Sequence, residues 1–204
     1  MAVRPRYERQ AAVRLPRSLL LALVLAGCAG GPAPADWQLN SHGSLESFKQ
    51  AYLTGNARVA SVEFERARSE LASTGNPALV ARAELIRCAV RAASLEFDGC
   101  PGFEKLRADA GAEEIAYAEY LGGGAERAAG EDSLSRLVSF GVKFNGGKIA
   151  PSDISSAIDI ASLEGWRRPL LAWLGVQEKR AEAAGDRDAI ERIRRRIALV
   201  SGKA

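Results

Sequence analysis

Glycines 55, 75, 165 and 185 stand in two pairs with the same 20-residue step, and each closes a run whose apolar residues recur every three or four positions. That pattern restricts the chain to helices of about five turns joined by tight turns. Glycine accepts the left-handed backbone that ends a helix, and the Asn56, Asn76 and Asp186 that follow three of the four can cap the next one. Residues 57–74 carry Val59, Val62, Phe64, Ala67 and Leu71 on one face, with Arg66 and Glu70 spaced to pair. Residues 77–95 open with Pro77 at the first helical position and bury Leu79, Val80, Ala83, Ile86 and Val90. Residues 167–184, with Leu170, Leu171, Trp173 and Leu174, and a last helix with Ile190, Ile193, Ile197 and Val200 complete the clearest part.

The rest is less regular. Residues 37–43 read as a lead-in, with Ser44 capping a short helix to 54. Residues 98–102 break the chain, 103–109 are fragmentary, 112–121 and 133–140 are helical, and 122–130 is a mobile loop. Asn145-Gly146 suggests a short hairpin within 141–150, and Ser152 caps a helix over 153–164. The expected fold is all-α, an irregular bundle or a short α-solenoid of helical hairpins with a glycine-rich middle segment. Gly75-Asn76-Pro77-Ala78-Leu79 and Gly185-Asp186-Arg187-Asp188-Ala189-Ile190 are roughly alike, and the helix-turn-helix they mark resembles the hairpin of tetratricopeptide-type solenoids. The full signature of about 34 residues is not met.

The N-terminus has another character. Arg4, Arg6, Arg9, Arg14 and Arg17 face one acid, Glu8, and are followed by the apolar run 18–27. Crossing a bilayer takes about 20 apolar residues, so this run reads as a signal peptide instead. It ends in Leu25-Ala26-Gly27-Cys28, which resembles the lipobox of bacterial lipoproteins. The resemblance implies removal of residues 1–27 and diacylglycerol on Cys28, each buried CH₂ contributing about 0.8 kcal/mol to membrane attachment. Ala29 and Gly30, where that family's inner-membrane members carry aspartate, imply an outer-membrane protein facing the periplasm. An ordinary signal peptide with Cys28 incidental is the alternative. Residues 28–36 are the lipidated cysteine and a flexible tether, whose Pro- and Gly-rich residues 29–36 span at most about 26 Å. Residues 37–204 form one helical periplasmic domain, made of N-terminal helices 37–121, a loop-rich middle 122–150 and C-terminal helices 151–204.

The leader holds five of the 28 basic and one of the 25 acidic residues, so the mature chain carries 23 against 24, a net charge of −1. Nothing in that balance favours nucleic acid. Two cysteines remain, Cys88 and Cys100, in a compartment that the lipobox resemblance makes permissive for disulfides. A bond between them closes a loop that restricts the unfolded chain by about 3 kcal/mol. Two free buried thiols, or a redox pair lacking Cys-x-x-Cys spacing, are the alternatives.

Chemistry-bearing constellations are absent. A single histidine, His42, has no partners for a triad or a zinc site, so no metal and no cofactor are expected. Gly141 to Ile149 fails as a phosphate loop because Gly147 intervenes before Lys148 and no hydroxyl follows. Glu113-Glu114 and Glu63-x-Glu65 point to different sides of a helix. Two surfaces suggest binding. Trp166-Arg167-Arg168 puts an aromatic and two guanidiniums at a turn, as interaction hot spots do, unless Trp166 packs inward. Arg192, Arg194, Arg195 and Arg196 suit anionic lipid near the tether, unless they only oppose the helix dipole. The expected function is a lipid-anchored, non-enzymatic module binding an envelope protein at the outer membrane. A carrier or sensor of a small apolar ligand between helices and a cell-wall-acting enzyme are the alternatives.

Overall fold

A computed structural model of the chain describes residues 34–124 and 127–203. The leader, Cys28 and most of the tether lie outside the described residues. Among these residues the structure is entirely helical: α1 (Asp36–Thr54), α2 (Ala57–Ala72), α3 (Pro77–Ala93), a one-turn α4 (Pro101–Glu104), a 3-10 turn (Arg107–Asp109), α5 (Ala112–Leu121), α6 (Ser133–Asn145), α7 (Pro151–Leu163), α8 (Arg167–Ala184) and α9 (Arg187–Ser201).

The turns use the expected chemistry. Gly55 and Gly185 take left-handed φ values of 90° and 69°, and their N–H groups donate to the last carbonyls of α1 and α8. Side chains of Asn56, Asn76 and Asp186 then accept from Val59, Ala78 and Ala189, at 3.3, 3.0 and 2.9 Å. Each cap satisfies an N–H that the first helical turn leaves without a partner.

The helix α3 decides between bundle and solenoid. Ten of its 17 residues are buried, and it touches α1, α2, α4, α5 and α6. Its Val80, Ala83 and Val90 join Phe48, Leu53 and Phe64 in one core, while Ala81, Leu85, Cys88, Ala89 and Ala92 join Phe103, Leu137, Ile158, Trp173 and Leu174 in a second. In a solenoid each hairpin meets only its neighbours. Here α8 returns to α1, where Arg168 Nε donates to the Tyr52 carbonyl at 2.9 Å across 116 residues of sequence. The fold is an irregular bundle wrapped around α3.

One buried charge ties α2 to that central helix. Glu84 is 3% exposed, and it accepts from Arg68 Nε at 3.2 Å while Arg87 Nη2 lies 2.6 Å from its other oxygen. Cys88 and Cys100 are joined by a disulfide, with 5.8 Å between Cα atoms. It pins the segment after α3, where Asp98 accepts from the Cys100 N–H at 3.2 Å and pairs with Arg91 at 3.3 Å.

Three expectations need correction. The stretch 37–43 is not a lead-in: α1 begins at Asp36, Ser44 lies buried inside it, and Gln38 Oε1 accepts the Ala35 N–H at 3.1 Å. Packing along the whole α1–α2 hairpin outweighs the roughly 1 kcal/mol cost of Gly43 in a helix interior. No hairpin forms at 141–150, because Leu134, Leu137, Val138, Gly141 and Val142 keep a helical period and α6 continues to Asn145. The helical part of the supposed loop-rich middle is therefore 13 residues, five more than the expected 133–140. Finally, α7 starts with Pro151 rather than after Ser152, and Asp153 accepts the Ala150 N–H at 3.2 Å.

Candidate functional site

The triplet at the α7–α8 turn is spent inside the molecule. Arg168 bonds the Tyr52 carbonyl, pairs with Glu96 at 3.2 Å and stacks 4.3 Å above the Tyr52 ring. Trp166 is half-buried against both cores. Arg167 is exposed, and its guanidinium closes over Gly55. Trp166 and Arg168 thus join α1, the segment after α3 and α8 within the chain, and Arg167 is the exposed member of the triplet. On α9, Arg194 reaches back to Glu178 and Glu182 of α8 at 2.6 and 3.0 Å, while Arg192, Arg195 and Arg196 stay on the outer surface. His42 lies exposed on α1.

A different site is assembled by α3, α5 and α6. Leu85, Ile86 and Ala89 of α3 form the floor of a cleft of about 600 Å³, with Tyr117 of α5 and Leu134, Ser135 and Val138 of α6 as walls. Arg127 also lines it, and residues 127–130 line a smaller depression of about 290 Å³ with Tyr117, Tyr120 and Val138. A third, of about 390 Å³, continues past Arg127 to Ser139, Lys143 and Lys148. Arg127 lines all three. The three hollows adjoin along α6, between Leu134 and the Gly146 that follows it, and together they make up the groove discussed below.

Local sequence explains each wall. Tyr117 and Tyr120 are three apart on α5, so both face α6, with ring centroids 5.8 Å apart. Arg127 lies 5.3 Å over the Tyr117 ring, which seats the end of the glycine-rich loop against α5. Asp132 caps α6 by accepting the Ser135 N–H at 2.9 Å. At the other end Glu114, buried in the first turn of α5, is held by Arg82 of α3. Glu113 lies on the cleft rim and is exposed.

The electrostatics follow from these contacts. The hydrogen bond from Arg82, then backbone N–H groups, hold the Glu114 carboxyl below its usual range. Hydrogen bonds from Ser135 do the same for Asp132. Burial, reinforced by Tyr120, pushes the Tyr117 phenol up to about 12, against the opposing pull of Arg127. A phenol that stays neutral in the fold while it ionises near 10 in the unfolded chain stabilises the fold fully below pH 10. That contribution, on the order of 2 kcal/mol, is lost as pH rises from about 10 to about 12. A urea-melt series across this range should show the decline, and Tyr117→Phe should make it shallower without abolishing it, because burial raises the Tyr52 phenol as well; an equally steep decline in Tyr117→Phe would contradict the assignment.

The groove arranges aromatic faces, a guanidinium and lysines along an open trough. It suits an extended chain. Among the described residues no group of three or more His, Cys, Asp or Glu could hold a metal ion, and no helix is long and apolar enough to span a membrane. Tyr117, Tyr120, Arg82 and Arg127 were not singled out by the sequence, since they come from three separate segments with no motif in common. The only available sign was a pair of tyrosines one helical turn apart beside a glycine-rich loop. A scan against protein-family models, a search of curated proteins and a search of solved structures each found no match.

Proposed function

We propose that this chain is a lipid-anchored, non-enzymatic module, attached through Cys28 to the outer membrane and facing the periplasm, that holds an envelope protein partner in the α5–α6 groove. The observation that carries this reading is the open cleft that Arg82, Tyr117 and Arg127 line together. Tyr and Arg dominate binding energy at protein interfaces, because each joins a large apolar surface to directional hydrogen bonding. The same groove argues against a cell-wall hydrolase. Glycoside hydrolysis needs one carboxyl kept protonated near neutral pH, and Glu114 and Asp132 are both held low.

An apolar-ligand carrier has one feature in its favour, an open cleft of about 580 Å³ between Phe144, Ile149, Ile154 and Val176. Its width and its rim of Lys179 and Arg180 leave an apolar ligand largely in water, which makes it the weaker reading.

The test is a mild-crosslink pull-down of the tagged, lipidated chain from its own envelope. One dominant partner is expected. It should be lost with Cys28→Ala and fall by about thirtyfold, the effect of a single hot-spot residue of about 2 kcal/mol, with Arg127→Glu or Tyr117→Ala. Circular dichroism confirms that each variant is folded. Undiminished recovery with the groove variants would remove the groove from the proposal. Recovery of the lipoprotein alone would shift the reading to ligand binding, to be followed by lipid extraction of the purified chain.

A further inference from the structure

The outer flank of α9 is a second surface that the groove does not use. Its inner stripe of Ala189, Ile193, Ile197 and Val200 packs on the bundle, with α8 as the main partner. Of the four arginines, only Arg194 turns inward to the two α8 glutamates. Arg192, Arg195, Arg196 and Leu199 follow at spacings of three, four and seven, which sets them on one side of the helix. All four are exposed, Leu199 by 72%. Among the described residues Arg192 and Arg196 have no ion pair, and Arg195 makes only a loose one, 3.7 Å, to exposed Glu191 one turn back. Asp188 is the other acid near this flank, a turn before Arg192.

We infer that this flank is a contact surface for an anionic lipid headgroup layer. The reasons are chemical. Three guanidiniums around one exposed leucine form the polar and apolar halves of an interfacial helix, whose leucine enters the acyl boundary while arginine stems extend toward phosphate. Arginine suits this role because its planar donors bind phosphate in pairs. The other side of α9 is already packed, so only Leu199 enters the lipid, and the contact is shallow and sensitive to salt. It does not depend on the groove or its partner. Beside a lipid anchor it would orient the domain, because a tethered surface meets the membrane at high effective concentration.

The test is vesicle co-sedimentation of the mature chain, residues 28–204, carrying Cys28→Ala, which has neither the lipid anchor nor the basic and apolar leader, itself able to bind anionic vesicles. Vesicles of phosphatidylcholine alone are compared with vesicles of equal parts phosphatidylcholine and phosphatidylglycerol. Binding is expected to the anionic vesicles only, and it should vanish in high salt. Each arginine near an anionic surface contributes about fivefold, so Arg192→Glu with Arg196→Glu should weaken binding at least about twenty-five-fold. Leu199→Ser should weaken it several-fold at unchanged charge. All three positions are exposed, and circular dichroism verifies the fold. Equal binding to neutral vesicles, no binding at all, or unchanged binding in either variant would overturn the inference. So would loss of the pulled-down protein partner in the arginine variant without any vesicle binding, which would make the flank an acidic-protein site.

Discussion

Trp173→Ala should remove most of the stability of this protein. The indole is fully buried where α3, α6 and α8 meet, with its edge toward the Phe144 ring at 5.9 Å. Removing a buried tryptophan costs about 3–5 kcal/mol in lost burial and residual cavity. A second loss adds to it. Trp173 Nε1–H donates at 3.1 Å to the carbonyl of Ala93, the last residue of α3, which has no partner within its own helix. A buried carbonyl left unpaired costs about 1–3 kcal/mol more. Domains of this size are stable by about 5–15 kcal/mol, so the urea midpoint should fall by about 2 M or the chain should not fold at all. Trp173→Phe separates the two causes, because it keeps much of the volume and loses the N–H. A midpoint for Trp173→Ala within a few tenths molar of the parent would refute the account.

Gly141→Ala is the second large effect, and its sign runs against helix propensity. Alanine in a helix interior is better than glycine by about 1 kcal/mol, so an isolated α6 would gain. In the bundle, a Cβ at Gly141 would run into the carbonyl of Ala92 on α3, a backbone atom that cannot rotate aside. The two helices must separate, and overpacking of this kind costs about 1–3 kcal/mol or more. We expect a net loss of about 2 kcal/mol, and a change in the groove, since Val138 and Val142 on the same helix line it. Gly175→Ala is the control: the space there is open, and it should be neutral or slightly stabilising. Equal melting temperatures for Gly141→Ala and the parent would show that the α3–α6 contact is looser than described.

The same glycine shows why part of the fold was illegible. Gly55 and Gly185 announce turns because an Asn or Asp follows and the apolar period restarts. Gly43 and Gly141 carry no such context, and reading them as breaks shortened α1 and α6. What glycine does at each place depends on which surface approaches it. Trp166-Arg167-Arg168 is ambiguous in sequence for a related reason. An aromatic with two guanidiniums suits a partner protein, and it suits equally the carbonyl of Tyr52 and the carboxylate of Glu96, which belong to this chain. Composition cannot tell an intermolecular contact from an intramolecular one.

The sequence by itself determined that the described chain is helical, where its hairpin turns fall, and that Cys88 and Cys100 lie close enough in the chain to join. These depend on neighbours within about 20 residues, through the helical period, the caps and a short loop. Only the tertiary structure decided that α3 is the centre of a closed bundle, that Arg194 pairs with α8 while Arg192, Arg195 and Arg196 do not, and that Arg82, Tyr117 and Arg127 share a cleft. Those are encounters between distant segments, chosen by how apolar faces and buried charges are satisfied together, and no local pattern encodes which helix will supply the partner.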